Sequence, residues 1–145
     1  MLVRQILSSK PSHSILSIPP QGTVSEAVGL LSTHRIGALM VFSGGNTLEG
    51  VLSERDIVRE LGRKGPDALL MQVSELMTCS VIACAVSDTA VSVLEKMTEG
   101  RFRHMPVVED GDVIGVISIG DVVKARIDEV EHENSALTEM IAGHA

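Results

Sequence analysis

The sequence predicts an α/β protein of two tandem β-α-β-β-α repeats, packed with approximate two-fold symmetry and followed by an extended C-terminal helix. Three observations predict it. A long segment recurs at a near-constant offset. Its apolar pattern changes from helical to strand-like at matching places in both copies. An acidic, apolar-seamed tail without Gly or Pro follows the second copy up to Gly143. The 145 residues make one ordinary domain or two very small ones, and a unit of about 60 residues buries too little surface to stand comfortably alone. Matching apolar faces give the economical solution, in which the repeats pack on each other and the cleft between them holds two related sites. The expected division is 1–65 for the first repeat with a short lead-in helix, 66–124 for the second repeat with its linker, and 125–145 for the helical extension.

Thr23-Val24-Ser25-Glu26-Ala27-Val28 recurs 66 positions later as Thr89-Ala90-Val91-Ser92-Val93-Leu94. Val24, Ala27, Val28 and Leu31 in one copy, and Ala90, Val93, Leu94 and Met97 in the other, follow i, i+3, i+4, i+7, which is one buried helical face written twice. Thr23 and Glu26 form a capping-box signature at the first helix start. Gly37–Phe42 aligns with Arg103–Val108, and both read as buried strands. The turn signals Ser43-Gly44-Gly45-Asn46 and Glu109-Asp110-Gly111-Asp112 follow, the second loop being one residue shorter. Gly50-Val51-Leu52-Ser53-Glu54-Arg55-Asp56-Ile57 then matches Gly115-Val116-Ile117-Ser118-Ile119-Gly120-Asp121-Val122. Upstream, Val3, Ile6 and Leu7 echo Val73, Leu76 and Met77, while Ile15–Ile18 and Val81–Cys84 are strand candidates. Gly62–Asp67 is the seam between units.

Composition excludes several functions. Hydrophobic residues at 44% and charged residues at 21% describe a packed chain rather than a disordered one. Two Phe, no Tyr and no Trp leave no aromatic platform for single-stranded nucleic acid, and a net charge of −7 argues against phosphate-backbone binding. No apolar run approaches the roughly 20 residues that span a bilayer, and Met1–Gln5 lacks a signal-peptide pattern. A cytoplasmic protein with no nucleic-acid and no membrane partner is expected. Cys79 and Cys84 lack the spacing of a redox or zinc motif, so each reads as a small hydrophobe and no metal is expected.

The sharpest local signal is the repeated Gly-h-h-Ser-x-x-Asp, with h apolar. A strand ends, Ser53 or Ser118 begins a helix, and the free N–H groups of the first turn form a pocket suited to phosphate. Asp56 and Asp121 lie in that turn, where a carboxylate can accept two hydrogen bonds from a ribose diol or can instead complete a capping box with the serine. The second signal is Arg101-Phe102-Arg103-His104. On a strand, Arg101 and Arg103 project to one side, calling for an anion between them, either a phosphate or neighbouring carboxylates. A solvated strand edge is the plain alternative. The first repeat has Arg35-Ile36-Gly37-Ala38 there, with one cation and a glycine that allows close backbone approach to a flat ligand. The two sites therefore differ, Arg55 standing in one where small Gly120 stands in the other. No nucleophile–base–orienter set stands out. His104 reads as a phosphate donor or a satisfied strand histidine rather than a general base, so no catalytic residue is assigned.

From about Val3 to Val123, the order, spacing and duplication of these motifs resemble a pair of cystathionine-β-synthase (CBS) domains, a Bateman module. Ser53–Val58 and Arg101–Val107 are similar to small bacterial stand-alone members. The resemblance implies a non-catalytic regulatory module that binds an adenine nucleotide between the repeats: AMP, ADP, ATP, S-adenosylmethionine or NAD(H). It implies that Asp56 and Asp121 hold ribose hydroxyls and that Ser53 and Ser118 lie near phosphate. Arg101, Arg103 and His104 would meet the phosphates, with Met105 and Pro106 continuing that segment. Backbone around Ile15-Leu16 and Val81-Ile82, with Ile36 and Gly37, would flank adenine, and Arg35, Arg55 and Gly120 would shape the two pockets. It further implies a disk-shaped homodimer and output in trans on a protein partner. The family's motif often has Thr where this chain has Ser, and both offer a hydroxyl.

Beyond Asp121, Val123, Ile127, Val130, Asn134, Leu137 and Ile141 fall at steps of 4, 3, 4, 3, 4, an a/d seam with one polar a position. The last helix either pairs with its copy in a homodimer or packs on its own domain. A scaffold with decayed sites and a nucleotide-processing enzyme are the alternatives to a sensor.

Overall fold

The computed structural model describes residues 1–10 and 15–143. The last two residues of the anticipated extension lie outside the described residues. The chain divides into two compact units, one of residues 14–82 and one of residues 1–13 with 83–145. The α/β tandem repeat and the long C-terminal helix are both present.

The unit of residues 14–82 contains β1 (Ser17–Ile18), α2 (Val24–His34), β2 (Ala38–Ser43), β3 (Thr47–Ser53), α3 (Glu54–Lys64), a 3-10 turn (Gly65–Leu70) and α4 (Val73–Leu76). Its sheet has the order β1-β2-β3, with β1 parallel to β2 and β2 antiparallel to β3. Thr23 caps α2 by accepting from the Glu26 N–H, as the capping signature predicts. Ile18, Val24, Ala27, Leu31, Leu39, Val41, Leu52, Ile57 and Val73 form the core. Apart from Ile57 and Val73, these are alternate strand positions and three of the four stripe residues that periodicity selects on α2; Val28, expected on the buried face, is 37% exposed.

The other unit contains α1 (Val3–Ser9), α5 (Ala90–Gly100), β4 (His104–Glu109), β5 (Asp112–Ser118) and α6 (Ile119–Gly143). β4 and β5 are antiparallel, and Asp110 and Gly111 between them both have positive φ, as a two-residue hairpin turn requires. The strand expected at Val81–Cys84 is reduced to one parallel bridge from Cys84 to Val107, and only Ser17 and Ile18 of the corresponding Ile15–Ile18 form a strand. Cys84 still occupies the place of Ile18 in its core. Burial pushes its thiol up to about 11, Asp88 adding to the effect and Lys96 opposing it, so the group behaves as an apolar side chain. Among the described residues no helix is long and apolar enough to cross a membrane.

The lead-in helices are exchanged between the repeats. α1 precedes the first repeat in the chain but packs with the second, and α4 precedes the second but packs with the first. The backbone pairing is the same in both. Val3 N–H donates to Asp88 O (2.8 Å) and Ala90 N–H to Met1 O (2.9 Å); Val73 N–H donates to Gly22 O (2.8 Å) and Val24 N–H to Met71 O (2.9 Å). Val3 and Ile6 fill one core and Val73 the other. Gly50 and Gly115 owe their place to this arrangement. A Cβ at Gly50 would stand 2.7 Å from the Thr78 carbonyl oxygen, and one at Gly115 would stand 2.8 Å from Leu7 Cδ2. Backbone cannot yield as a leucine methyl can. Gly50→Ala is therefore expected to destabilise the protein by about 1–3 kcal/mol and Gly115→Ala by less. Urea denaturation of the two variants checks the order, and equal midpoints would contradict it.

Candidate functional site

Each repeat brings its polar residues to one strand–helix junction. In the first, Ala38 pairs with Ser53 at the end of the β2–β3 ladder, and Glu54 N–H donates to Gly37 O (2.9 Å). In the second, His104 pairs with Ser118, and Ile119 N–H donates to Arg103 O (2.8 Å). The structure thus brings the Gly37–Ala38 backbone to the start of α3 at Ser53 and the Arg103–His104 backbone to the start of α6 at Ser118, with Arg35 and Arg101 two residues upstream of those contacts. Arg55 is exposed and lines an open surface depression with Glu54, Val58 and Arg59. At the matching position of the second repeat stands exposed Gly120, where a Cβ would make an ordinary contact with Ser118 Oγ at 3.6 Å.

Arg101 is not on a strand. It ends α5 in the left-handed conformation (φ 56°), β4 begins only at His104, and the expected one-sided projection of Arg101 and Arg103 from a strand does not hold. Arg35 ends α2 in the same way (φ 52°). Both arginine N–H groups close their helices, on Met97 O and Leu31 O, and the next residue, Phe102 or Ile36, bonds to the same carbonyl. This is a helix C-cap at a position where glycine is usual. A side chain held there in both copies carries backbone strain of about 1–2 kcal/mol. Both guanidiniums are exposed.

The two aspartates complete reciprocal caps. Ser53 N–H donates to Asp56 Oδ2 (2.9 Å) and Asp56 N–H to Ser53 Oγ (3.3 Å). Ser118 N–H donates to Asp121 Oδ2 (2.8 Å) and Asp121 N–H to Ser118 Oγ (3.1 Å). Capping and ligand binding are not exclusive, since a carboxylate has about four acceptor sites. The carboxylates differ in their second contact. Asp56 is buried and its Oδ1 accepts from Arg59 (3.4 Å). Asp121 Oδ2 accepts from Lys10 Nζ (2.9 Å), which also donates to Val116 O (2.7 Å). No hydrogen bond from the described residues reaches Asp121 Oδ1.

Sequence reasoning missed Lys10 and Arg59. Arg59 was findable, three residues beyond Asp56 on the same helix. Lys10 follows α1 and reaches Asp121 only because of the lead-in exchange. Among the remaining candidates, Met105 and Pro106 lie in the buried stretch of β4, Met105 in the core, and the Pro106 carbonyl accepts from Cys84 N–H. Val81 and Ile82, the latter exposed, close the unit of residues 14–82 and form no strand.

Fold and junctions together define a tandem-repeat α/β protein with one capped, cation-flanked junction per repeat. Residues 3–63 and 73–128 match the CBS domain model. The chain belongs to the CBS domain family and carries two CBS domains in tandem. It is 34% identical over 125 residues to the mitochondrial CBS domain-containing protein CBSX3 of Arabidopsis thaliana, covering 83% of this chain and 61% of that one. It spans only 24% of the longer Arabidopsis relative CBSCBSPB5. The crystal structure of the CBS-domain containing protein ATU1752 from Agrobacterium tumefaciens is similar at 40% identity and TM-score 0.84, over 87% of this chain and 99% of that one. The CBS domain pair of protein MJ0100, in complex with 5'-methylthioadenosine and S-adenosyl-L-methionine, is similar at 25% identity and TM-score 0.77, over 89% and 98%.

Burial of Asp121 opposes its ionisation, but the Ser118 N–H, the Lys10 ammonium and the Ser118 hydroxyl outweigh it and hold the carboxyl below its ordinary 3.8. A carboxyl so depressed stabilises the fold above its unfolded pKa, and that contribution is lost as the pH falls below about 3.8 toward the folded value. Lys10→Met is expected to raise the Asp121 pKa. Carbon-13 carboxyl titration by NMR reads the shift, and an unmoved titration would mean that Lys10 does not hold this carboxylate in solution.

Proposed function

We propose that this CBS pair is a non-catalytic sensor of an adenine nucleotide (AMP, ADP, ATP or NAD(H)) that acts in trans on a protein partner. The observation that carries the reading is the duplicated junction: a capped Ser–Asp pair with first-turn N–H groups, and an arginine held at the preceding helix end, in the same register in both repeats. Asp56 and Asp121 accept ribose hydroxyls, and the N–H groups behind Ser53 and Ser118 face phosphate. Arg101 and Arg103 supply the positive charge that a di- or triphosphate needs in an otherwise acidic chain, and His104 meets the same phosphates. Ile36 and Gly37, with Val81 and Ile82, flank the base. The adenosine ligands bound by the MJ0100 pair support the ligand class.

The second repeat is the stronger site. It has Arg103 where the first repeat has Gly37, the small Gly120, and an Asp121 Oδ1 that no described residue engages, whereas Asp56 Oδ1 is engaged by Arg59. Titration calorimetry with AMP, ATP, NAD and NADH separately tests this. Asp121→Asn, which keeps the shape of the cap, is expected to weaken the tightest ligand about 10- to 100-fold, the worth of a hydrogen bond to a charged group. Asp56→Asn should do less. Binding of none of the four, nor of ADP titrated in the same way, would reject the ligand class, and binding untouched by either substitution would reject the residue assignment. Turnover of any of them by the pure protein would reject the non-catalytic reading.

A further inference from the structure

Lys10 reaches Asp121 from the exchanged lead-in segment, not from α6 itself. Its ammonium donates both to Asp121 Oδ2 (2.9 Å) and to the Val116 carbonyl (2.7 Å). The bond to Val116 ties the charge to the β5 backbone, so the cation stays at the junction when the carboxylate takes on another partner. The first repeat differs. There Arg59 meets Asp56 at 3.4 Å with 69% of its side chain exposed, a contact that water readily replaces. Lys10 and Asp121 remain within reach of a ligand, their side chains being 28% and 25% exposed.

Two features of this placement point the same way. Each carboxylate oxygen offers about two acceptor positions. On Asp121 Oδ2 they are filled by the Ser118 N–H and Lys10, while Oδ1 accepts nothing from the described residues. A ribose diol that asks for both oxygens finds only one ready. The ammonium, in turn, has three N–H donors, and among the described residues Val116 and Asp121 take two of them. The third is left for an anion, and the aspartate charge that would repel that anion is offset by the ion pair itself. In dinucleotide sites generally, a bare carboxylate takes a ribose hydroxyl, and a cation nearby admits a ribose phosphate. We propose that the second site selects adenine nucleotides phosphorylated on the ribose ring, at the 2′ or 3′ oxygen, with Lys10 holding the ring phosphate and Asp121 Oδ1 accepting the remaining ring hydroxyl. This selectivity rests on the adenine-nucleotide reading of the site and narrows it.

Titration calorimetry of the full chain with 2′-AMP, 3′-AMP and 5′-AMP tests the proposal, because the three isomers share their atoms and differ only in where the phosphate sits. The wild type is expected to bind one of the ring isomers about tenfold tighter than 5′-AMP. Lys10→Met should weaken that isomer about tenfold and leave 5′-AMP bound as tightly or more so, since Oδ2 is released. Lys10→Arg, which keeps the charge, should keep the ring preference. A lysine that served only the fold would, when replaced, weaken all three isomers alike, and circular dichroism reports whether each variant is folded. A wild-type preference for 5′-AMP, or parallel losses in Lys10→Met, would overturn the proposal and leave the adenine-nucleotide reading standing. Failure of both ring isomers to bind overturns the proposal alone if 5′-AMP, ADP, ATP, NAD or NADH binds, and overturns the adenine-nucleotide reading with it if none does.

Discussion

The backbone pairing between each lead-in segment and the start of the other repeat's first helix is the constraint on which the remaining structure depends. A helix begins with N–H groups that have no partner inside it. In this chain two of the residues that open α2 and α5 are paired by Met71 and Met1 carbonyls, while Val73 and Val3 return bonds to Gly22 and Asp88. The lead-in helix is thereby fixed against its core, delivering Val73 to one and Val3 and Ile6 to the other. Gly50 and Gly115 are then required, because the strand behind must let this added layer close in. One local pairing explains two helices, two cores and two glycines.

Much of this was legible, and the reason is periodicity. Helices α2 and α5, the strand pairs and the caps at Thr23, Ser53 and Ser118 depend on residues within a few positions of one another, so pattern reveals them. The lead-in exchange depends on which of two similar faces α1 meets, and both faces carry the same apolar spacing. Nothing local distinguishes them. Arg101 misled for another reason. A glycine ordinarily marks the left-handed end of a helix, and Gly100, one residue early, does not occupy that conformation: a Cβ there would strike the Phe102 ring at 2.3 Å. The strand at Val81–Cys84 shrank because a single bridge at Cys84 suffices to continue the sheet beside Val107.

The same asymmetry separates the two junctions. They are alike in everything that capping requires and different in what surrounds the cap. In the first unit, the edge of β3 at Val51 is paired by Thr78, which follows α4. In the second, the matching Val116 carbonyl is taken by the Lys10 ammonium, which also holds Asp121. A backbone contact in one copy has become a charged contact in the other. Asp121 is less buried than the first repeat's Asp56, and the Ser118 N–H with the Lys10 ammonium holds its carboxyl below the ordinary value despite the burial that remains.

This has a mechanical consequence, because Asp121 lies in the first turn of α6. The residue that would meet a ribose and the seam that begins at Val123 belong to one uninterrupted helix with no glycine or proline between them. Lys10 adds a second hold at the same point. A ligand hydroxyl that draws on Asp121 must share the carboxylate with Lys10, and Lys10 is anchored through α1 to the start of α5. The junction thus stands where the proposed ligand site and the exchanged lead-in helix meet, and the first repeat, whose α3 ends at Lys64, has no counterpart to it.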